Sequence, residues 1–310
     1  MARRVARTAR NIAKLSRMAR TLNIIGCGRV GRTLARLWAQ DGAFQIQDVL
    51  DSAREKSAAA VAFIGQGHAS GAVSELRAAA VWMLTPPDDQ IVACCAALAG
   101  GNLLEPGNVV FHCSGALPAS ELVAAVSRGA LVASVHPLKS FADAADAAQT
   151  FAGTYCAADG DAAALAVLRP AFERVGAIVS AIDPGFKTVY HAASVIVCNY
   201  LTALLEIGVR CYGKAGYTRE DALTMMEPLV RETLDNLFKL GTAQSLTGPI
   251  SRGDDHVVAR HLEALGAWEP HVAAIYRELG AVTVELARAQ GKAKPEALTA
   301  IERLLSNPNP

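Results

Sequence analysis

Four groups of residues in this sequence have the types and spacing to do chemistry. The first is Gly26, Gly28 and Gly31, with Cys27, Arg29 and Val30 between them, in the spacing G-x-G-x-x-G. Such a loop turns tightly at its first glycine and lets backbone N–H groups approach a pyrophosphate at its second. Its third lets a helix pack closely on a strand. Asp51, twenty residues beyond Gly31, is an acid of the kind that accepts hydrogen bonds from an adenosine ribose. Ser52 and Arg54 beside it could instead hold a 2′-phosphate, so the choice between NAD and NADP stays open. The second group is Ser114 and His136, each directly after a short apolar run. An imidazole titrates near neutrality and suits proton exchange with an alcohol or carbonyl, and a serine could bond the same oxygen. The alternative for His136 is a loop histidine satisfied by backbone. His112, on the apolar run itself, reads as structural.

The third group is Lys187, His191 and Asn199, four and eight residues apart and so roughly on one face of a helix. A lysine there could donate to a carbonyl as hydride arrives, or its stem could simply be buried at a domain border. Between His136 and Lys187 the residues do not decide the acid, and Lys187 is favoured because it opens an apolar helix. The fourth group, Thr247, Gly248, Pro249 and Arg252, lies in the irregular stretch Gly241–Gly253. Arg252 could bind a carboxylate with two hydrogen bonds or close a structural salt bridge.

These residues need elements to hold them. Leu22, Ile24 and Ile25 predict a buried strand before the glycines, and Val30, Leu34, Leu37 and Trp38 predict a helix after them. Further strands are expected at Phe44–Leu50, Ala78–Leu84, Val109–Cys113, Leu131–Val135, Gly153–Ala157 and Ala177–Ala181. Helices are expected between them at Ala53–Ala62, Gln90–Ala99 and Asp161–Val175, and a loop at Phe63–Gly71. This alternation predicts an α/β fold with a doubly wound parallel sheet, which sends Thr85, Pro86, Pro87, Ser114 and His136 to its carboxyl edge. After Asp183 the strand pattern stops. Helices are expected at Phe186–Lys214, Thr218–Leu240, Asp254–Leu265, Trp268–Gln290 and Pro295–Leu305, forming an all-α C-terminal domain. The expected division is a basic extension at 1–20, a nucleotide-binding domain at 21–183 and a helical domain at 184–310.

The 310 residues are 52% hydrophobic and 19% charged, with a formal net charge of +1. That near-neutrality hides an acid-free, Arg-rich arm over residues 1–20, without which the rest is net acidic, so nucleic-acid binding by the body is not expected. The arm resembles a targeting segment or a tail for an acidic surface. The favoured reading is a true start at Met18, which makes residues 1–17 dispensable. The longest apolar stretch, Ala192–Val209, is interrupted by Asn199, Thr202 and Glu206 and reads as a buried helix, with no membrane span. Seven cysteines without a C-x-x-C argue for reduced core thiols and a cytoplasmic setting. His256 and His261, five apart, do not share a helical face, and no metal site is expected.

The order of the glycine fingerprint, Thr85-Pro-Pro-Asp-Asp, His112-Cys-Ser-Gly, Val135-His-Pro-Leu, Lys187-x-x-Tyr-His-Ala-Ala and Leu246-Thr-Gly-Pro-Ile-x-Arg-Gly-Asp resembles an uncharacterised group of Rossmann-like oxidoreductases. Their helical second domain is known only as a domain of unknown function. More distantly the chain resembles ketopantoate reductases, 6-phosphogluconate and β-hydroxyacid dehydrogenases, prephenate dehydrogenases and deazaflavin-dependent NADP reductases. The resemblance implies a Rossmann-type first domain and a C-terminal domain like that of 6-phosphogluconate dehydrogenase. It also implies NADP or NAD as cofactor and hydride transfer to or from a small carbonyl or hydroxy compound, such as a ketopantoate-like 2-oxo acid. A homodimer through the helical domain would follow. By the same resemblance Ser114 and His136 would serve a substrate hydroxyl and Lys187 would be catalytic. The alternative is a dimeric nucleotide-binding module without catalysis.

Overall fold

The computed structural model describes residues 20–307, so the expectation for residues 1–17 lies outside the described residues. Eight strands make one sheet: β1 (Arg20–Ile25), β2 (Phe44–Leu50), β3 (His68–Ser70), β4 (Val81–Leu84), β5 (Val109–His112), β6 (Leu131–Pro137), β7 (Tyr155–Gly160) and β8 (Ile178–Ala181). Their spatial order is β3-β2-β1-β4-β5-β6-β7-β8. Between β1 and β4 the winding reverses, which in an open α/β sheet opens a crevice at the carboxyl ends of the strands. The helices α1 (Arg29–Asp41), α2 (Arg54–Ile64), α3 (Asp88–Gly100), α4 (Val123–Val126), α5 (Ala144–Gln149) and α6 (Ala162–Arg174) cover the sheet.

Both faces of the sheet are buried, as continuous apolar strands require. On one face Trp38 of α1 meets Phe44 and Phe172 edge-on, with ring centroids 5.2 and 5.1 Å away. On the other, Trp82, Leu84, Ile91, Leu98 and Val110 form a second core. Two expectations are corrected here. The stretch Phe63–Gly71 is not all loop, because His68–Ser70 adds an edge strand beside β2. The sheet is also not wholly parallel, since β7 runs antiparallel to β6 through pairs such as His136↔Ala157. The connection explains the reversal: α5 has six residues, about 9 Å of helix, too short to carry the chain back along a seven-residue strand. The chain therefore re-enters the sheet from the carboxyl end.

The described residues after β8 contain no strand. They form α7 (Lys187–Lys214), α8 (Arg219–Leu240), α9 (Pro249–Arg252), α10 (Asp255–Trp268), α11 (Pro270–Gln290) and α12 (Pro295–Ser306). By contacts the chain divides into two compact units, one running through Asn199 and the other Tyr200–Pro310. The division falls later than the expected boundary at 183 because the first turns of α7 belong with the sheet. In the second unit, Val258, Leu262, Val284, Leu298, Ile301 and Leu305 make the core. Gly280 belongs there: a Cβ on it would stand 2.7 Å from Leu305.

The apolar stretch Ala192–Val209 is helical but, apart from Val209 at its end, not buried, which corrects the expectation drawn from its composition. Val189, Ile196, Val197 and Tyr200 on α7 are all more than half exposed. The helix Pro184–Lys214 is long and apolar enough, by length and composition, to cross a membrane. Among the described residues nothing covers these side chains.

Candidate active site

The three fingerprint glycines are needed for different reasons. Gly26 has φ +81°, and a Cβ on it would stand 2.3 Å from the Pro86 nitrogen. Gly31 would bring a Cβ to 2.4 Å from Thr85 Oγ1, whose hydroxyl donates to the Gly26 carbonyl. Both are therefore fixed by packing against the Thr85-Pro86 turn. Gly28 is different: its φ is −65° and a Cβ there meets nothing within 4 Å. Open space above a glycine at the head of a helix is what a ligand backbone needs. The first helical bond runs from Arg32 N–H to the Gly28 carbonyl, so the amides of Arg29, Val30 and Gly31 have no partner inside α1. These features fit a dinucleotide pyrophosphate.

At the end of β2, Asp51 Oδ2 accepts from the Cys27 amide at 2.8 Å and Oδ1 from the Ser52 amide at 2.7 Å. The carboxylate thus braces the glycine loop, and the Cys27 amide is spent on it. Burial pushes the Cys27 thiol up to about 12, so it is an inert core thiol. Arg54 is held by both carboxylate oxygens of Glu75 at 2.6 Å, which corrects its expected freedom for a phosphate. Lys56, which sequence reasoning passed over, donates to Ser52 Oγ at 2.9 Å and puts a cation beside Asp51. Its spacing from Ser52, one helical turn, was the signal. Pro87 precedes α3 at the same edge of the sheet as Thr85 and Pro86.

A crevice of about 740 Å³ opens within the first unit, between the fingerprint, the loop after β6 and the first turns of α7. Arg29, His136, Lys139, Tyr190, His191 and Asn199 are among its walls. Of the expected site residues, Arg29, His136, His191 and Asn199 line it together. His136 is half-buried at the end of β6. Its Nδ1 is 3.2 Å from the Tyr190 hydroxyl, and its ring lies edge-on to His191 with centroids 5.9 Å apart. A Cβ on Gly115 would stand 2.8 Å from His136 Nε2 and 2.6 Å from His191 Nδ1, so only a glycine leaves both rings where they are. Burial first, then the neighbouring His191 and Lys187, push the His136 imidazole down to about 4. It is neutral at neutral pH and can accept a proton. His191 Nδ1 is buried and makes no hydrogen bond.

Two of the expected catalytic residues are not open to a ligand. Lys187 is 1% exposed, and its ammonium donates to Asp159 Oδ2 at 3.0 Å and to Ser134 Oγ at 2.5 Å. It is an anchor in the floor of the unit, where a cation can survive burial only because it is paired and hydrogen-bonded. The helical spacing that suggested a shared polar row was sound, but α7 turns its first residue down into the sheet. Ser114 is also closed. Its hydroxyl donates to Asp88 Oδ2 at 2.6 Å and accepts from the amides of Ala116 and Leu117. It shapes the loop that carries Gly115. His112 is structural as expected: Nδ1 accepts from the Ser114 amide, Nε2 faces the Pro118 carbonyl, and burial pushes it down to about 4.

The fourth expected group lies in the second unit. Thr247 and Pro249 line an apolar pocket of about 260 Å³ with Leu204, Cys211 and Tyr276. Gly248 has φ +90° and sets the turn into α9. Arg252 pairs with Asp254 at 2.9 Å, so the structural salt bridge holds and its guanidinium is partly used. Sequence reasoning missed Tyr190, Asp159, Gly115 and Lys139. Tyr190 stands beside His191 in the same motif, and a polar aromatic on an apolar helix was a readable signal.

Residues 154–283 match the model of a family described as Domain of unknown function (DUF2520). Among solved structures, protein TM1727 from Thermotoga maritima aligns with a TM-score of 0.69 at 24% identity, over 87% of this chain and 99% of that one. The Bacteroides fragilis protein BF3122, described as a candidate NADP oxidoreductase, aligns with 0.67 at 19% identity, over 88% and 98%. Prephenate dehydrogenase from A. aeolicus, solved with hydroxyphenyl propionate and NAD+, aligns with 0.52 at 16% identity, over 66% and 77%. A search of curated proteins finds no match. At these identities the likenesses establish the fold alone, a Rossmann-type α/β sheet followed by helices, and with the domain match they bear out the resemblance drawn from the motifs.

Proposed function

We propose that this Rossmann-like chain, which carries the domain of unknown function, is a nicotinamide-dependent oxidoreductase acting on a small hydroxy or carbonyl compound. The observation that carries the reading is the single crevice that has fingerprint residue Arg29 on one wall and His136 on another. A bound NAD or NADP would supply the hydride acceptor or donor. The open face of Gly28 and the unpartnered amides of α1 would hold its pyrophosphate, and Asp51 would meet its ribose. His136 accepts the substrate hydroxyl proton at Nε2 in the oxidising direction and returns it in the reducing one. Tyr190 orients that imidazole through Nδ1. His191 and Asn199 wall the place where the substrate would lie. A 2-oxo acid or its hydroxy acid fits this reading. The test is NAD(P)H oxidation by the purified chain against a panel of oxo acids, beside dinucleotide binding by calorimetry. Binding without turnover of any carbonyl would favour the nucleotide-binding module instead.

The exposed apolar face of α7 supports a homodimer as part of the same reading. Lipid suits that face less well, because Lys187 is tied to Asp159 at one end and Glu206 pairs with Arg219 further along. Light scattering at twice the chain mass, lost in Val197→Glu, is the expected result; a monomeric parent would refute it.

A further inference from the structure

The crevice has an unbalanced charge. Arg29 and Lys139 line it, and no aspartate or glutamate does. Neither cation has a carboxylate partner among the ion pairs of the described residues. Arg29 Nη1 donates to the Phe141 carbonyl at 3.3 Å, and Lys139 Nζ donates to the Thr150 carbonyl at 2.8 Å. Asp143, a carboxylate that feels Arg29, is already used: Oδ1 accepts from the Ala145 and Asp146 amides and caps α5. Two cations held by main-chain carbonyls beside low-dielectric walls concentrate anions from solution. A lysine donating once keeps two N–H directions for a ligand.

The two charges stand at different ends of the chemistry. Arg29 opens α1 next to Gly28, where a pyrophosphate would sit. Lys139 comes three residues after His136, on the loop that leaves β6. The wall also carries Leu138, Phe141, Val195 and Val197, an apolar surface interrupted by the hydroxyls of Ser140 and Ser194. We propose that the substrate is a carboxylate with an apolar body, and that Lys139 binds its carboxylate while the reacting carbon lies beside His136. The inference rests on the oxidoreductase reading for the reaction, but the anion site stands on the crevice alone. It also moves the expected carboxylate partner from Arg252 to Lys139.

Matched probes test it. Pyruvate, 4-methyl-2-oxopentanoate and 3-phenylpropanoate, each beside its primary amide, would be titrated into the protein by ligand-observed NMR and calorimetry. NADH would be titrated separately. The acids should bind at least tenfold more tightly than their amides. Lys139→Gln keeps a donor for the Thr150 carbonyl and drops the charge, so it should abolish that preference without moving the thermal midpoint or NADH affinity. Lys139→Arg should keep the preference, and Arg29→Gln should weaken NADH and leave it. Failure of all acids to bind at tens of millimolar would overturn the proposal. So would a preference that survives Lys139→Gln, or one that disappears with Arg29→Gln instead. A parent that shows the Lys139-dependent preference but binds neither NADH nor NADPH would sink the oxidoreductase reading and leave the anion site standing.

Discussion

The Tyr190 hydroxyl lies 3.2 Å from Nδ1 of His136, with the two rings perpendicular and their centroids 5.6 Å apart. One residue comes from the end of a strand and the other from the first turn of α7, so the contact ties helix to sheet at the mouth of the crevice. In the proposed reaction Nδ1–H donates to the tyrosine oxygen, and Nε2 keeps the lone pair that would exchange the proton. Tyr190→Phe keeps the ring and loses the bond. Turnover should fall roughly tenfold with KM little changed, because an imidazole free to rotate spends less time aligned. The pH–rate profile should shift as well. An unchanged kcat would leave Tyr190 a packing residue.

The glycine loop predicts opposite outcomes at two positions. Gly28→Val has a permitted φ and open space, so the variant should fold and lose NAD(P)H binding. Gly26→Ala places a Cβ on a φ of +81° and against the Pro86 backbone, so it should lose more than ~2 kcal/mol of stability. Thermal unfolding and calorimetry on both would separate the roles. Intact dinucleotide affinity in folded Gly28→Val would remove the ligand from this loop.

Loss of Lys187 should act on stability first. Lys187→Met strands the Asp159 carboxylate, which is 5% exposed, and should cost about 3–5 kcal/mol. Asp159→Asn in the same background removes the orphaned charge and should recover part of the loss. Chemical denaturation of the parent, both single variants and the double variant measures the coupling. A Lys187→Met protein of parental stability but without turnover would restore the lysine to chemistry.

Acid should weaken the fold through His112. Its folded value, about 4, lies below its ordinary 6.5 because the charged form is disfavoured in the core. Between those values the unfolded chain binds more protons, so stability is complete above pH 6.5 and is lost as pH falls toward 4. The loss from this residue between pH 7 and 5 should be about 2 kcal/mol, and smaller in His112→Gln. Urea midpoints at the two pH values decide it. Equal losses in both proteins would assign the acid sensitivity elsewhere.

Much of this molecule was legible beforehand. The strand at Phe44–Leu50 and the fingerprint helix follow from periodicity, because each buries an unbroken apolar pattern. The antiparallel β7 was not legible, since direction depends on where a short connection lets the chain re-enter, which apolarity does not encode. The exposed α7 failed for a related reason: composition reports that a face needs covering, not that the cover lies in the same copy. At the site, the sequence pattern singled out His136, His191 and Asn199, which line one crevice. It misjudged Lys187 and Ser114, because the partners that close them, Asp159 and Asp88, are distant in sequence.

The central claim is that His136 exchanges the substrate proton beside a bound nicotinamide. Its most direct measurement is single-turnover hydride transfer in His136→Gln against the parent, with saturating NAD(P)H or NAD(P)+ and whichever oxo or hydroxy acid the parent turns over. The hydride-transfer rate should fall ~10²–10⁴-fold, with dinucleotide affinity and thermal midpoint unchanged. A His136→Gln protein that transfers hydride at the parental rate would contradict it.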